Sequence, residues 1–186
     1  MEPPYEEFPD PVPTKVAIVV GGAEGVEHEV RLAESLCDAA GLTPTYYVIN
    51  DQIPTFASEC VAITLHPLKL RGEVTDWLGK REAAGHPAPL EVWTNRQHPF
   101  ATHHTRDISG SSGLFAWAVA RKRGDGKVLF CGVPMTTTKH FMRGTPWHAA
   151  GGFRMGWVHN KEKLLESARS FSGWTQELIG APSLGW

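Results

Sequence analysis

Gly110-Ser111-Ser112-Gly113-Leu114-Phe115-Ala116-Trp117-Ala118-Val119-Ala120, then a Gly124/Gly126 break, the apolar run Val128 to Cys131 and the closing Gly132-Val133-Pro134-Met135, is the stretch that decides the fold of this 186-residue chain. Small residues open a helix over 112–122, glycines end it, and a β-like run over 127–131 stops at a second loop. A loop, helix, strand, loop unit of this kind belongs to an open α/β sheet. Such sheets bind ligands at helix N-termini and just beyond the carboxyl ends of strands.

Toward the N-terminus, Val16 to Val20 is a continuous apolar run, as expected of a strand buried on both faces, and Gly21, Gly22 and Ala23 follow it directly. Residues 24–40 read as a helix, with Val26, Val30, Leu32, Ala33, Leu36 and Ala40 near helical spacing and Gly41 as its stop. Tyr46 to Ile49 is a second β-like run ending at Asn50 and Asp51, and Cys60 to Leu65 a third ending at His66 and Pro67. A helix around Arg71 to Ala84, a strand around Leu90 to Thr94 and an aperiodic, His-rich loop over 95–109 come next. Beyond Met135 lie a long irregular stretch, an amphipathic helix near Lys161 to Phe171 and a frayed tail. The order β-α-β-β-α-β-α-β predicts a Rossmann-like α/β fold, an open and mainly parallel sheet with helices on both faces. Residues 1–13, with five prolines and four acids, are expected to form an extended arm before a single domain over 14–186.

Hydrophobic residues make up 41% of the chain and charged residues 20%, and 18 Lys+Arg against 20 Asp+Glu give a formal charge of −2. That balance argues against a broad nucleic-acid surface. Cys37, Cys60 and Cys131 are odd in number, widely spaced and set among apolar residues, which fits neither a disulfide framework nor a metal knuckle and points to a reducing compartment. With no basic, apolar leader pattern and no run of membrane-spanning length, the expectation is a cytoplasmic protein without a membrane partner.

Gly21 and Gly22 fit two readings: a backbone that lets a phosphate or sugar approach the first helix, or a tight strand-to-helix turn. The third-glycine spacing of a dinucleotide fingerprint is missing, and Glu24 and Glu27 sit where they would repel pyrophosphate. Asn50 and Asp51 end a strand, where an acid can accept a ribose hydroxyl or the pair can form an Asx turn. His66 occupies a strand's carboxyl end, as ligand contact or loop cap. Ser111, Ser112 and Gly113 open a helix, and a cap and an anion site use the same amides. His148, beside Trp147 and followed by Arg154 and Trp157, offers a base and a phosphate-binding cation. The opposing reading packs the tryptophans on the sheet and leaves His148 and Arg154 solvated. His98, His103, His104 and Asp107 raise a metal site, but adjacent loop histidines without a cysteine seldom converge, and none is expected. A loop closing with Arg96, His103 or Arg106 on an anion suits that segment better. Trp77, Trp93 and Trp117 are expected in the core.

An N-terminal strand ending in small residues, joined with a later Ser/Thr-Ser-Gly helix start, a strand and a Gly-x-Asp/Pro loop, resembles bacterial sialyltransferases that use CMP-sialic acid. It also resembles the 6-hydroxymethylpterin diphosphokinase-like Rossmann proteins and is similar to small phage and prophage proteins of that architecture. The resemblance runs by order of elements over residues 15–135. It implies that Gly21, Gly22, Asn50, Ser111, Ser112 and Gly113 surround a cytidine nucleotide, with His66 where the family has an asparagine. It further implies a general base beyond the Gly-x-Asp/Pro loop, a part for His148 or His140. The family's leaving-group tyrosines have no match, because Tyr5, Tyr46 and Tyr47 all lie in the N-terminal half.

The expected function is a nucleotide-dependent transferase, moving a glycosyl group from a CMP-type donor, with His148 and His66 as catalytic candidates. Gly21, Gly22, Asn50, Asp51, Ser111, Ser112, Gly113 and Arg154 would bind the nucleotide or another small phosphorylated ligand. The rival is a non-catalytic nucleotide-binding or phage accessory module on the same fold, working in the host cytoplasm if phage-encoded. The Pro-rich arm and the tail Leu184, Gly185, Trp186 are candidates for contacts in a homo-oligomer.

Overall fold

Five consecutive apolar residues form β1 (Val16–Val20), and all five are buried, the pattern of a strand covered on both faces. The computed structural model describes residues 15–106, 111–142 and 144–186. The predicted arm, Asp107 and Gly110 lie outside the described residues. After β1 come α1 (Val26–Ala39), β2 (Pro44–Ile49), β3 (Val61–Thr64), α2 (Trp77–Ala83), β4 (Glu91–Thr94) and β5 (His103–His104). Then follow α3 (Ser112–Lys122), β6 (Lys127–Cys131), α4 (Arg154–His159), α5 (Lys161–Ser167), β7 (Ala168–Ser170) and α6 (Gly173–Ile179).

The sheet order is β5-β4-β3-β2-β1-β6-β7, and every pairing is parallel. The chain therefore winds outward from β1 to β5, then returns to the other side of β1 for β6 and β7. This is an open Rossmann-like α/β sheet. The reversal between β1 and β6 is a topological switch point, where loops leaving adjacent strands diverge and open a crevice.

Alternation along the strands feeds two apolar layers. Ala17, Val19, Tyr47, Ile63 and Phe130 face α3 together with Trp157 and Leu164, while Ile18, Val20, Val48, Ala62 and Leu129 face α1 and Trp77 of α2. Helix α3 buries seven of its residues, consistent with its nearly unbroken apolar sequence. Trp77, Trp93 and Trp117 are buried as expected, and Cys37, Cys60 and Cys131 are free and buried. Among the described residues, no helix is long and apolar enough to cross a membrane.

Helix α3 and strand β6 match the sequence reading residue for residue, and the differences elsewhere have local causes. The helix expected from Arg71 starts at Trp77, because Asp76 caps it through Gly79 N–H at 2.8 Å. The His-rich loop contributes β5, a two-residue strand paired with Trp93 and Thr94. The helix expected to reach Phe171 ends at Ser167, where Ala168 turns extended and the chain pairs with β6. The tail folds as α6, fastened by a hydrogen bond from Thr175 Oγ1 to Val133 O at 2.7 Å.

The link from β2 to β3 carries only a 3-10 turn, Asn50–Gln52, and is held from α2. The buried Arg81 guanidinium donates to the carbonyls of Ile53 (2.9 Å), Phe56 (2.5 Å), Ser58 (2.7 Å) and Pro87 (2.6 Å). Its planar fork of donors takes the place of a crossover helix in fixing that loop.

Candidate functional site

A cavity of about 520 Å³ sits above the switch point. It is lined by Gly22 and Ala23 after β1, Asn50 and Asp51 after β2, His66 after β3, Ser111 to Gly113 at the start of α3, and Gly132 to Met135 after β6. Seven of the predicted site residues, Gly22, Asn50, Asp51, His66, Ser111, Ser112 and Gly113, thus meet around one space.

Backbone packing shapes the floor. A Cβ on Gly21 would lie 2.2 Å from Gly132 O, and one on Gly113 would lie 2.7 Å from Val133 Cγ1. Gly132 takes φ +65° and brings its Cα against Val26. Gly21 itself does not line the cavity: its missing side chain lets the β1 and β6 loops touch, which is the tight-turn reading.

The N-terminus of α1 is poorly suited to an anion. Ala23 N–H donates to Gly132 O (3.2 Å) and Glu24 N–H to Lys139 O (2.9 Å), while Glu29 Oε2 accepts from Gly132 N–H at 2.7 Å. Glu24, Glu27 and Glu29 add negative charge there. Helix α3 differs: among the described residues, no acceptor engages the amides of Ser112, Gly113 and Leu114, and its first turn carries no acid.

Asn50 ties three loops together from a left-handed backbone, φ 52°, that asparagine tolerates better than most residues. Its Oδ1 accepts from Thr64 Oγ1 at 2.9 Å and its Nδ2 donates to Ser112 Oγ at 3.1 Å. Thr64 Oγ1 in turn accepts His66 N–H at 2.9 Å, so β2, β3 and α3 end in one polar chain. Ser111 Oγ accepts from the buried Trp157 indole at 3.4 Å.

Asp51 lies between two aromatic donors, Trp77 Nε1 at 3.0 Å from Oδ1 and His140 Nε2 at 3.3 Å from Oδ2. Met142 N–H donates to His140 Nδ1 at 3.2 Å, which leaves the ring proton on Nε2, facing Asp51. His140 is therefore a fastener. The His66 ring makes no hydrogen bond or ion pair among the described residues. Desolvation by the surrounding protein, then Lys69, holds its pKa below the ordinary imidazole range against an opposing pull from Asp51. That direction favours the uncharged imidazole.

His148 and Arg154 are not brought into this space. His148 is exposed, and its neighbours Trp147 and Ala149 are the cavity residues. Arg154 donates from Nε to Met135 O at 2.9 Å and stacks on Trp174 at 4.8 Å, bracing the β6 loop from outside. Tyr46 donates to Glu34 and Tyr47 to Asp125, both away from the cavity. His103 stacks on Trp93 and His98 tilts against Phe100, so the loop histidines diverge. Among the described residues, no three metal-ligating side chains gather. Burial pushes the Cys60 thiol up to about 11 and Cys131 well above the usual range, removing both as nucleophiles.

The irregular stretch after Met135 supplies the remaining wall. Trp147 N–H donates to Thr138 O (2.9 Å), His140 N–H to Thr145 O (2.9 Å) and Gly144 N–H to His140 O (3.0 Å), so residues 138–142 and 144–147 face each other as the two arms of a hairpin. It is bound to the β1 loop by Phe141 N–H to Gly22 O at 3.0 Å, and it places Lys139 and Trp147 on the cavity. The local signal is faint, a turn-forming Gly144 ahead of Thr145 and Pro146.

No protein-family model matches this chain, and neither the curated proteins nor the solved structures give a significant match.

Proposed function

We propose that the protein binds a nucleotide or a similar small phosphorylated ligand in the switch-point cavity and uses it in group transfer, with glycosyl transfer from a CMP-type donor as the leading reaction. The observation that carries this reading is the convergence of Asn50, Asp51, His66 and the Ser111–Gly113 turn on one space of nucleotide-compatible size. The open amides of α3 suit phosphate charge, which grows as the bond between the glycosyl carbon and the phosphate oxygen breaks. The acceptor hydroxyl forms the new bond to that carbon and gives its proton to His66, which takes the base role expected of His148.

One observation favours a non-catalytic nucleotide-binding module instead: Tyr46 and Tyr47 are bonded elsewhere and cannot assist a departing phosphate. The two readings separate in one experiment. Thermal shift with CMP, UMP, AMP, GMP and their sugar conjugates identifies the bound nucleotide, and turnover of the bound conjugate is then compared between the wild type and His66→Ala. Turnover lost in His66→Ala with binding retained supports the transferase. Binding without turnover in the wild type supports the module, and no shift with any nucleotide defeats both.

A further inference from the structure

We infer that the two hairpin arms, residues 138–142 and 144–147, are the recognition element of the cavity, with Trp147 stacking on a planar heterocycle and Lys139 pairing with an anionic group of the same ligand. This inference rests on the nucleotide reading and assigns its two halves to residues outside the strand-end loops. Lys139 is the only lysine or arginine among the described residues lining the cavity, and no ion pair among the described residues neutralises it. Trp147 leaves 42% of its surface exposed, whereas Trp77, Trp93, Trp117 and Trp157 are buried. Behind it, Phe153 stacks at 5.7 Å with planes 20° apart, so the indole is backed by a second ring and keeps an open side. An aromatic face supported this way is a platform for a base.

The two side chains are held in one frame. Trp147 N–H binds Thr138 O, Lys139 pairs with Pro146 across the hairpin, and Lys139 O accepts Glu24 N–H. Glu24 N–H and Phe141 N–H tie this frame to the first loop, and the His140–Asp51 contact ties it to the end of β2. A ligand carrying both a heterocycle and an anion gains from both contacts, while one carrying either alone gains from one.

The test is isothermal titration of the full chain with CMP, UMP, AMP and GMP, the matching nucleosides, and inorganic phosphate. It uses the wild type, Lys139→Ala and Trp147→Ala. Both side chains are exposed, and an unchanged melting temperature without ligand checks that the variants fold. For the best-bound monophosphate, Lys139→Ala is expected to weaken binding about tenfold or more while leaving the nucleoside unchanged, the size of a charge-assisted contact. Trp147→Ala is expected to weaken monophosphate and nucleoside alike, by about five- to a hundredfold, and to leave phosphate unaffected. A monophosphate that binds all three proteins equally overturns this inference and leaves the nucleotide reading standing. A wild type that binds no monophosphate overturns both.

Discussion

Asp51 and His140 meet at 3.3 Å, joining the end of the second strand to a hairpin nearly ninety residues later in the chain. The same carboxylate accepts the Trp77 indole N–H at 3.0 Å, so one side chain fastens α2 and the cavity wall together.

Replacing Asp51 by Ala removes both contacts and leaves a buried indole donor unpaired. A stability loss of about 1–3 kcal/mol is expected, together with faster hydrogen exchange at Phe141 and Trp147. Urea unfolding and exchange mass spectrometry check the two effects, and unchanged exchange in the hairpin would show that other contacts hold it.

Arg81 serves four carbonyls from a fully buried position. Arg81→Met is expected to cost about 3 kcal/mol or more, since several buried acceptors lose their donor at once. Arg81→Lys should recover little of that, because an ammonium cannot span the same fork. Denaturant midpoints of both variants decide the matter.

Gly21→Ala places a methyl 2.2 Å from Gly132 O and 2.6 Å from Val133 Cγ2. Neither neighbour is the free end of a flexible chain, so a loss of at least about 1–3 kcal/mol is expected. Gly151→Ala meets nothing within 4 Å and should stay within about 0.5 kcal/mol of the wild type. Equal melting temperatures for the two variants would refute the packing role of Gly21.

Glu91 is held below the ordinary glutamate range. Burial pushes its pKa up, but hydrogen bonds from Trp93 and Arg123 and the Arg123 charge outweigh that push. The folded state thus binds this proton less readily than the unfolded chain. The stabilisation is present above the unfolded pKa, about 4.3, and is lost as pH falls through the lower folded value. Glu91→Gln should flatten that part of the acid limb in a melting-temperature profile, and an unaltered limb would assign it to other carboxylates.

His66 titrates below its ordinary value for the opposite chemical reason, loss of solvation of its charged form. If it is the base, kcat/KM falls on the acid side with a midpoint below about 6.5. A midpoint at or above that value would point to another group.

The periodic parts of this chain were legible because local physics dictates them. Val16 to Val20 can only be a doubly covered strand, and the helix from Ser112 lies between small residues and glycines that fix both ends. That Asn50, His66 and Ser112 would meet around one cavity was legible because strand ends and helix starts converge in a parallel sheet. That His148 and Arg154 would lie outside this cavity was not legible, because their positions depend on the 3-10 turn His148–Phe153 and the start of α4, neither of which has a strong sequence period. The hairpin escaped for a related reason: its order comes from bonds to Gly22, Glu24 and Asp51, which lie far away in sequence. Strand β7 is three residues long and takes its shape from pairing with β6.

Gly21 and Gly132 pack main chain to main chain beneath the cavity, and Gly113 sets the start of α3 directly on Val133. Main chain offers little for substitution to alter, so that surface is closed to drift in specificity. New preferences would arise on the hairpin wall, where the exposed side chains of Lys139 and Trp147 line the cavity. The fold thus separates a closely packed base from an exposed side-chain face around a single cavity.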